Sequence, residues 1–315
     1  MVWECLTKEC DATMLKTQRD ERVWLVSQPD HAELAGFLAA HWGNDEFASP
    51  GHFANSANPE ELRANTVLAI AQHDNGWWEW EANPELTKGE GLPMDLREVL
   101  RNQQDGMNRW RFGIPRFNES HPYVSLLISL HAYWLYAYGC HAKPDPVFTH
   151  PLFSRGSSTS LMGEHLDNAR SFVAEIESMQ AELIARLRKD PRSSAWVDAE
   201  HLNPHVRIMQ LMDSLSLSLC SALLPPRAGE AKGLGEDEFD LTEVPRRDWQ
   251  DRVTIRLRPL GSRRIMCNPY PFAVDPLVVT VPARILDWST ERHTEFQSWW
   301  CSVPKRLIQF EYCSA

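Results

Sequence analysis

Along the first two thirds of the chain, apolar residues recur at helical spacing between polar ones. In QPDHAELAGFLAAHWG, His31, Leu34, Ala35, Leu38 and Trp42 fall on one stripe, which predicts a helix. Asp30 is its candidate cap and Gly43 its candidate stop. Just before it, Val23-Trp24-Leu25-Val26 reads as a short strand, and residues 44–59, rich in Gly, Pro, Ser and Asn, read as loop. From Pro59, PEELRANTVLAIAQHD predicts a second helix, with Leu62, Val67, Ile70 and Ala71 inward and His73-Asp74 at its end. Residues 75–97 are broken by Gly76, Pro84, Gly89, Gly91 and Pro93, and a polar helix follows around 95–110. HPYVSLLISLHAYWLYAYG, 121–139, is apolar almost all round, the pattern of a helix at the centre of a bundle, with Pro122 suited to its first turn. Residues 141–160 read as a long loop. Next, Leu166, Phe172, Val173, Ile176, Leu183, Ile184 and Leu187 form the clearest amphipathic stripe of the chain. A further helix runs from about His201 to Leu223 and stops at Pro225-Pro226.

The pattern then changes. Residues 227–247 are acidic and loop-like, and the short segments VTIRLRPL, IMCNPYPFA, LVVTVPARIL and KRLIQFEYC follow. Their Val, Ile, Thr and aromatic residues, bounded by Pro and Gly, predict a small antiparallel sheet. The expected fold is therefore mainly α: a helical body over residues 1–224, and an acidic loop with a small β appendage over 225–315, packed on the body.

With 315 residues, 43% hydrophobic and 24% charged, the chain can bury a sizeable core. A formal net charge of −11 argues against general affinity for nucleic acid, though not against a small phosphorylated substrate in a local site. The seven cysteines show neither CxxC pairs nor regular spacing, which fits a reducing compartment. The first 25 residues lack the apolar core of a signal peptide, and no apolar run reaches membrane-spanning length, so a cytoplasmic protein is expected.

Ligand-type residues on apolar helix faces are the anomaly in this picture. His31 lies on the stripe of the first helix, His73-Asp74 ends the second, and His131 sits between Leu127 and Leu135 in the most apolar helix. Asp213 is flanked by Met209 and Leu217 at four-residue spacing, where a core residue belongs. A buried carboxylate needs a partner, either a divalent cation or an arginine such as Arg207. The bland reading of His31 and His131 is a hydrogen-bonded core histidine. That of His121 is a cap before Pro122. The remaining histidines, His150 among them, read as solvated, with His205 set apart because it lies two turns before Asp213. Trp77, Trp78 and Trp80 read mainly as packing, and Glu79 and Glu81 as solvated unless one faces the site as a proton shuttle.

The order of His31, His73-Asp74 and Asp213 on separate helices resembles the H…HD…D pattern of the HD superfamily of metal-dependent phosphohydrolases. QPDHAELAGFLAAHWG, AIAQHDNGWWEWE, HPYVSLLISLHA and QLMDSLSL look like an uncharacterised bacterial family, domain of unknown function 3891. One departure from a minimal HD core is the long interval from His131 to Asp213, filled by the helix at 164–189. The HD resemblance implies a helical bundle and one or two divalent ions (Mn, Fe, Co, Ni or Zn). The implied ligands are His31, His73, Asp74 and Asp213, with His121 and His131 joining in a dinuclear site bridged by Asp74. It implies hydrolysis of a phosphate ester or nucleotide, with Asp74 orienting the attacking water. Two other readings share these residues: a di-iron oxygenase, and a non-catalytic regulatory module. Homo-oligomerisation through the β edge is a further expectation.

Overall fold

The strand at Val23–Val26 is half of a hairpin. The computed structural model describes residues 13–82, 84, 86–87, 91–96, 103–140, 145–153, 163–224, 232–287 and 295–315. In it β1 (Thr13–Arg19) turns into β2 (Arg22–Val26) through Asp20, whose φ of 52° suits a short polar side chain. The later strands are β3 (Met94–Asp95), β4 (Phe239–Pro245), β5 (Arg252–Gly261), β6 (Arg264–Asn268), β7 (Leu277–Asp287) and β8 (Arg306–Cys313). Together they form one 8-stranded sheet in the order β3-β1-β2-β7-β8-β6-β5-β4. The pairs β1–β3 and β6–β8 are parallel, and the other neighbours are antiparallel.

This overturns the mainly-α bundle with a small β appendage: the fold is mixed α/β with a mixed sheet. The hairpin near the N-terminus pairs with the tail, Arg22 opposite Asp287 and Leu25 opposite Arg284. Such pairing between distant segments leaves no local trace in the sequence. The segment expected as acidic loop contains β4, an edge strand whose acidic side chains point away from the core while Leu241 and Val244 point into it.

The helices with described bounds are α1 (Gln28–Ala40), α2 (Pro59–Ala71), α3 (Trp78–Ala82), α4 (Gln103–Gly113), α5 (Pro122–Cys140), α6 (Glu164–Lys189), α7 (Ala199–Cys220) and α8 (Phe296–Ser302). The predicted polar helix is helical at Leu96 and again from Gln103, and residues 97–102 lie outside the described residues, as do His141, His293, Cys5 and Cys10. None of the described helices is long and apolar enough to cross a membrane.

Helix α7 is buried from Val206 to Cys220 and packs on α1, α2, α5 and β4. Its Leu211, Leu215 and Leu219 share one core with Leu241, Ile255, Phe310 and Tyr312 of the sheet. Helices α1 and α2 touch backbone to backbone, because a Cβ on Gly36 would lie 2.4 Å from the Cβ of Ala71. That close approach sets α1 beside the end of α2, where His73-Asp74 follows.

Candidate metal centre

Four elements and one loop deliver the cluster. His31 stands in the first turns of α1, which Ser27 caps by accepting from the Asp30 N–H; the expected cap, Asp30, instead receives the Ser27 hydroxyl and Lys305. His73 and Asp74 follow the last turn of α2. There the chain bends into a 3-10 turn, Asn75–Trp77, pinned because a Cβ on Gly76 would lie 2.1 Å from the Arg109 carbonyl of α4. His131 projects from α5 and Asp213 from α7. All five side chains are buried.

They converge around Asp213. Its Oδ1 lies 3.5 Å from His73 Nε2 and 3.7 Å from His31 Nε2, and its Oδ2 lies 3.6 Å from His131 Nε2. Asp74 Oδ2 is 2.9 Å from His31 Nε2 and 3.6 Å from His73 Nε2. The sets His31–His73–Asp74 and His73–His131–Asp213 each keep their ligand atoms within 4.8 Å of one another, close enough to surround an ion. The HD resemblance implies Asp74 as the bridge of a dinuclear site. In the structure Asp213 also spans the cluster, with one oxygen toward His31 and His73 and the other toward His131.

Hydrogen bonds fix which nitrogen each ring offers. His73 Nδ1 donates to the Ile70 carbonyl at 2.7 Å, and its Nε2, fully buried, has no hydrogen-bond partner. At 3.5 Å its contact with Asp213 is an ion-pair distance rather than a hydrogen bond. The Ser216 hydroxyl donates to the Asp213 carbonyl, so its oxygen accepts from His31 Nδ1 at 2.7 Å. His73 therefore turns an unpartnered Nε2 toward the carboxylates with its Nδ1 proton already engaged, the arrangement of a metal-ligating imidazole, whereas His31 Nε2 donates to Asp74 Oδ2 at 2.9 Å and an ion would displace that proton. An orphaned nitrogen between two buried carboxylates fits a divalent cation with N and O ligands.

The electrostatics point the same way. Burial opposes charge on His73, but Asp74, Asp213 and the Ile70 carbonyl outweigh it and raise its pKa to about 9. Burial would raise the Asp213 carboxyl, yet His150 and His73 hold it well below the usual range. Burial, with His73 and His150 nearby, pushes His131 down to about 3 against the pull of Asp213, so its ring is neutral.

Other candidates fall elsewhere. His121 is exposed at the head of α5, its ring against Phe117; ten residues of helix set it about 15 Å along the axis from His131. His205 is buried but accepts from the Gly51 N–H and meets the Tyr123 hydroxyl. Arg207, a proposed partner for Asp213, bonds the carbonyls of Thr149, Thr242 and Glu243. Trp77 and Trp80 pack under the Arg109 guanidinium, which lies 3.6 Å from the Trp80 ring, while Trp78 is exposed. Glu79 pairs with Arg116 at the surface. Glu81, expected in solvent, is buried and accepts the Gln28 N–H; burial pushes its pKa well up despite that bond, and Asp74 and Asp30 add to the rise.

His150 is the residue the sequence reading passed over. It lies between the 3-10 turns Pro146–Phe148 and Pro151–Phe153, buried, with Nε2 2.8 Å from Asp213 Oδ2. The signal was its setting: Phe148, Pro151, Leu152 and Phe153 make an apolar loop, and an apolar loop is a buried one.

Compared with known proteins, the chain matches no curated protein and no solved structure. Residues 14–288 match a family model described as a protein of unknown function, DUF3891, and the resemblance to the HD superfamily is not confirmed. Every member of the His/Asp cluster falls inside that span, and the chain belongs to the DUF3891 family.

Proposed function

We propose that this cluster is a divalent-metal centre that hydrolyses a phosphate ester or nucleotide. The observation that carries the metal is the unpartnered Nε2 of His73, fully buried and facing two carboxylates. His31, His73, Asp74 and Asp213 would hold the ion, with His131 on the far side of Asp213 as the further nitrogen for a second. A bound ion supplies Lewis acidity and lowers the pKa of a water it holds. Asp74 and Asp213 are 7% and 5% exposed against 1–2% for His31, His73 and His131, so the carboxylates are the least buried members of the cluster. Asp74 would orient the attacking water and take its proton as the ester P–O bond breaks, the proton then passing to the leaving oxygen. The histidines fix the two carboxylates and shield them from bulk solvent. The choice of a phosphate ester over other hydrolysable groups rests on the HD-like order of the ligands along the chain.

Elemental analysis of protein purified without chelator, followed by a screen of generic phosphate esters and nucleotides, tests the reading. Zinc, manganese, cobalt or nickel, with turnover abolished in His73→Ala and Asp74→Asn, supports it. Two irons per chain with oxygen uptake would replace hydrolysis by oxygenation. Protein with no metal and undiminished thermal stability relative to His73→Ala would leave a non-catalytic module.

A further inference from the structure

We infer, building on the metal-centre reading, that His150 is a positioning residue rather than a ligand: its Nε2–H donates to Asp213 and aims that carboxylate at His31 and His73. The wiring of its ring is opposite to theirs. A backbone N–H can only donate, and that of Leu152 lies 3.1 Å from His150 Nδ1, so Nδ1 accepts and the proton sits on Nε2. The other end agrees. Ser214 donates its hydroxyl to the Gln210 carbonyl at 2.6 Å, so the Ser214 oxygen that faces His150 Nε2 at 3.4 Å is an acceptor. Asp213 Oδ2, at 2.8 Å, is the nearer acceptor. To bind a cation through Nε2 with a neutral ring, His150 would move its proton to Nδ1, against the Leu152 N–H.

The loop that carries His150 is clamped by the helix that carries Asp213. Gln210 Nε2 donates to the Phe148 carbonyl at 2.7 Å, and Arg207 Nη1 to the Thr149 carbonyl at 2.9 Å. Gln210 lies one turn before Asp213 and Ser214, so the clamp and the carboxylate share a helix face. Arg207, buried, is anchored by the carbonyls of Thr242 at 2.7 Å and Glu243 at 3.3 Å. Those carbonyls belong to a bulge in β4, where register shifts between Leu241 and Val244 and Glu243 has φ 54°. A non-glycine residue held in the left-handed region costs conformational energy that its surroundings must offset. Here the bulge turns two carbonyls toward the arginine that holds the histidine loop.

The test uses Co(II) titrated into metal-stripped protein, with affinity read by competition against a chromophoric chelator and ligand environment read from the visible spectrum. Loss of an outer hydrogen bond to a ligand weakens metal binding by roughly 10–100-fold. His150→Ala is expected to lose that much affinity while keeping the wild-type number of ions and Co(II) spectrum. His150→Gln, which keeps an N–H donor, is expected to recover most of the loss. A changed spectrum or one fewer ion in His150→Gln, or no recovery relative to His150→Ala, overturns the proposal. If wild-type protein binds no Co(II), the metal-centre reading fails by itself. The wiring is then read from long-range 1H–15N correlations of 15N-histidine in the metal-free wild type, with the His150 signals identified by their loss in His150→Gln. A proton on Nε2 upholds the wiring, and a proton on Nδ1 overturns it.

Discussion

Free of metal, this protein should lose stability in mildly alkaline solution, and His73 is the reason. Its pKa rises from 6.5 to about 9 because Asp74, Asp213 and the Ile70 carbonyl outweigh the opposing effect of burial. A group whose folded pKa lies above its unfolded value stabilises the fold fully below the unfolded pKa. That contribution is lost as pH rises through the folded one. The window runs from about pH 6.5 to 9, and at about 1.4 kcal/mol per unit the loss sums to about 3 kcal/mol. The assay is urea denaturation of chelator-treated protein at half-unit steps from pH 6 to 10, beside His73→Gln. The difference between the two curves isolates this proton from the cysteines and the amino terminus. In metal-loaded protein the same nitrogen is occupied, so its contribution to the pH dependence should flatten and apparent metal affinity should climb with pH. A wild-type stability curve that runs parallel to that of His73→Gln across the window would refute the reasoning.

Further predictions concern other parts of the molecule. Gly36→Ala places a Cβ 2.4 Å from that of Ala71 and 2.8 Å from its Cα, so it should cost about 1–3 kcal/mol in denaturant unfolding and weaken metal binding by parting His31 from His73; Ala71→Gly in the same chain should recover only part of either loss, because the backbone contact remains. Adding an ion at a hundred times its dissociation constant should stabilise the fold by about 2.7 kcal/mol, seen as a rise in Tm that His73→Ala abolishes. His205 is pushed down to about 3 by burial, helped by His201 and His52. Its folded pKa is below the unfolded one, so its stability is present above pH 6.5 and lost as pH falls toward 3, and His205→Gln should make acid unfolding less steep by about one proton.

The helices were legible because each buries a face of its own. The stripe from Leu166 to Leu187 and the apolar run at 121–139 appear in the structure as α6 and α5. The sheet was half legible. A short apolar run marked β2 and alternation marked the tail strands, but nothing in LVVTVPARIL says that its partner lies at Arg22–Leu25, since pairing depends on the folded arrangement of the whole chain. Among the site residues, His31, His73, Asp74, His131 and Asp213 stood out as polar groups on apolar faces, and those are the side chains the fold gathers. His121 stood in the same helix as His131 but at its exposed start, and only the length of α5 separates the two cases.

His150 marks where the sequence logic failed, and the failure has a physical source. Periodicity detects buried polar residues only on regular elements, because it needs neighbours at fixed spacing to define a face. A histidine between two short 3-10 turns has no face, and its burial comes from carbonyls held by a side chain more than fifty residues later. The same logic explains why the sequence offers Arg207 as an ionic partner of Asp213. The two lie on one helix near enough to suggest a pair, but Arg207 is spent on the loop and on the β4 bulge. Asp213 is thereby left to the histidines, and its charge is balanced by imidazoles on one side and available to a cation on the other. A centre supported this way draws on the sheet as well as the helices. The β4 bulge should therefore be felt in metal affinity although it makes no contact with the cluster: Glu243→Gly, which relieves the strain at φ 54° and loosens the two carbonyls, should leave the fold intact and weaken Co(II) binding, and unchanged binding there would show that the bulge is ornament to the site.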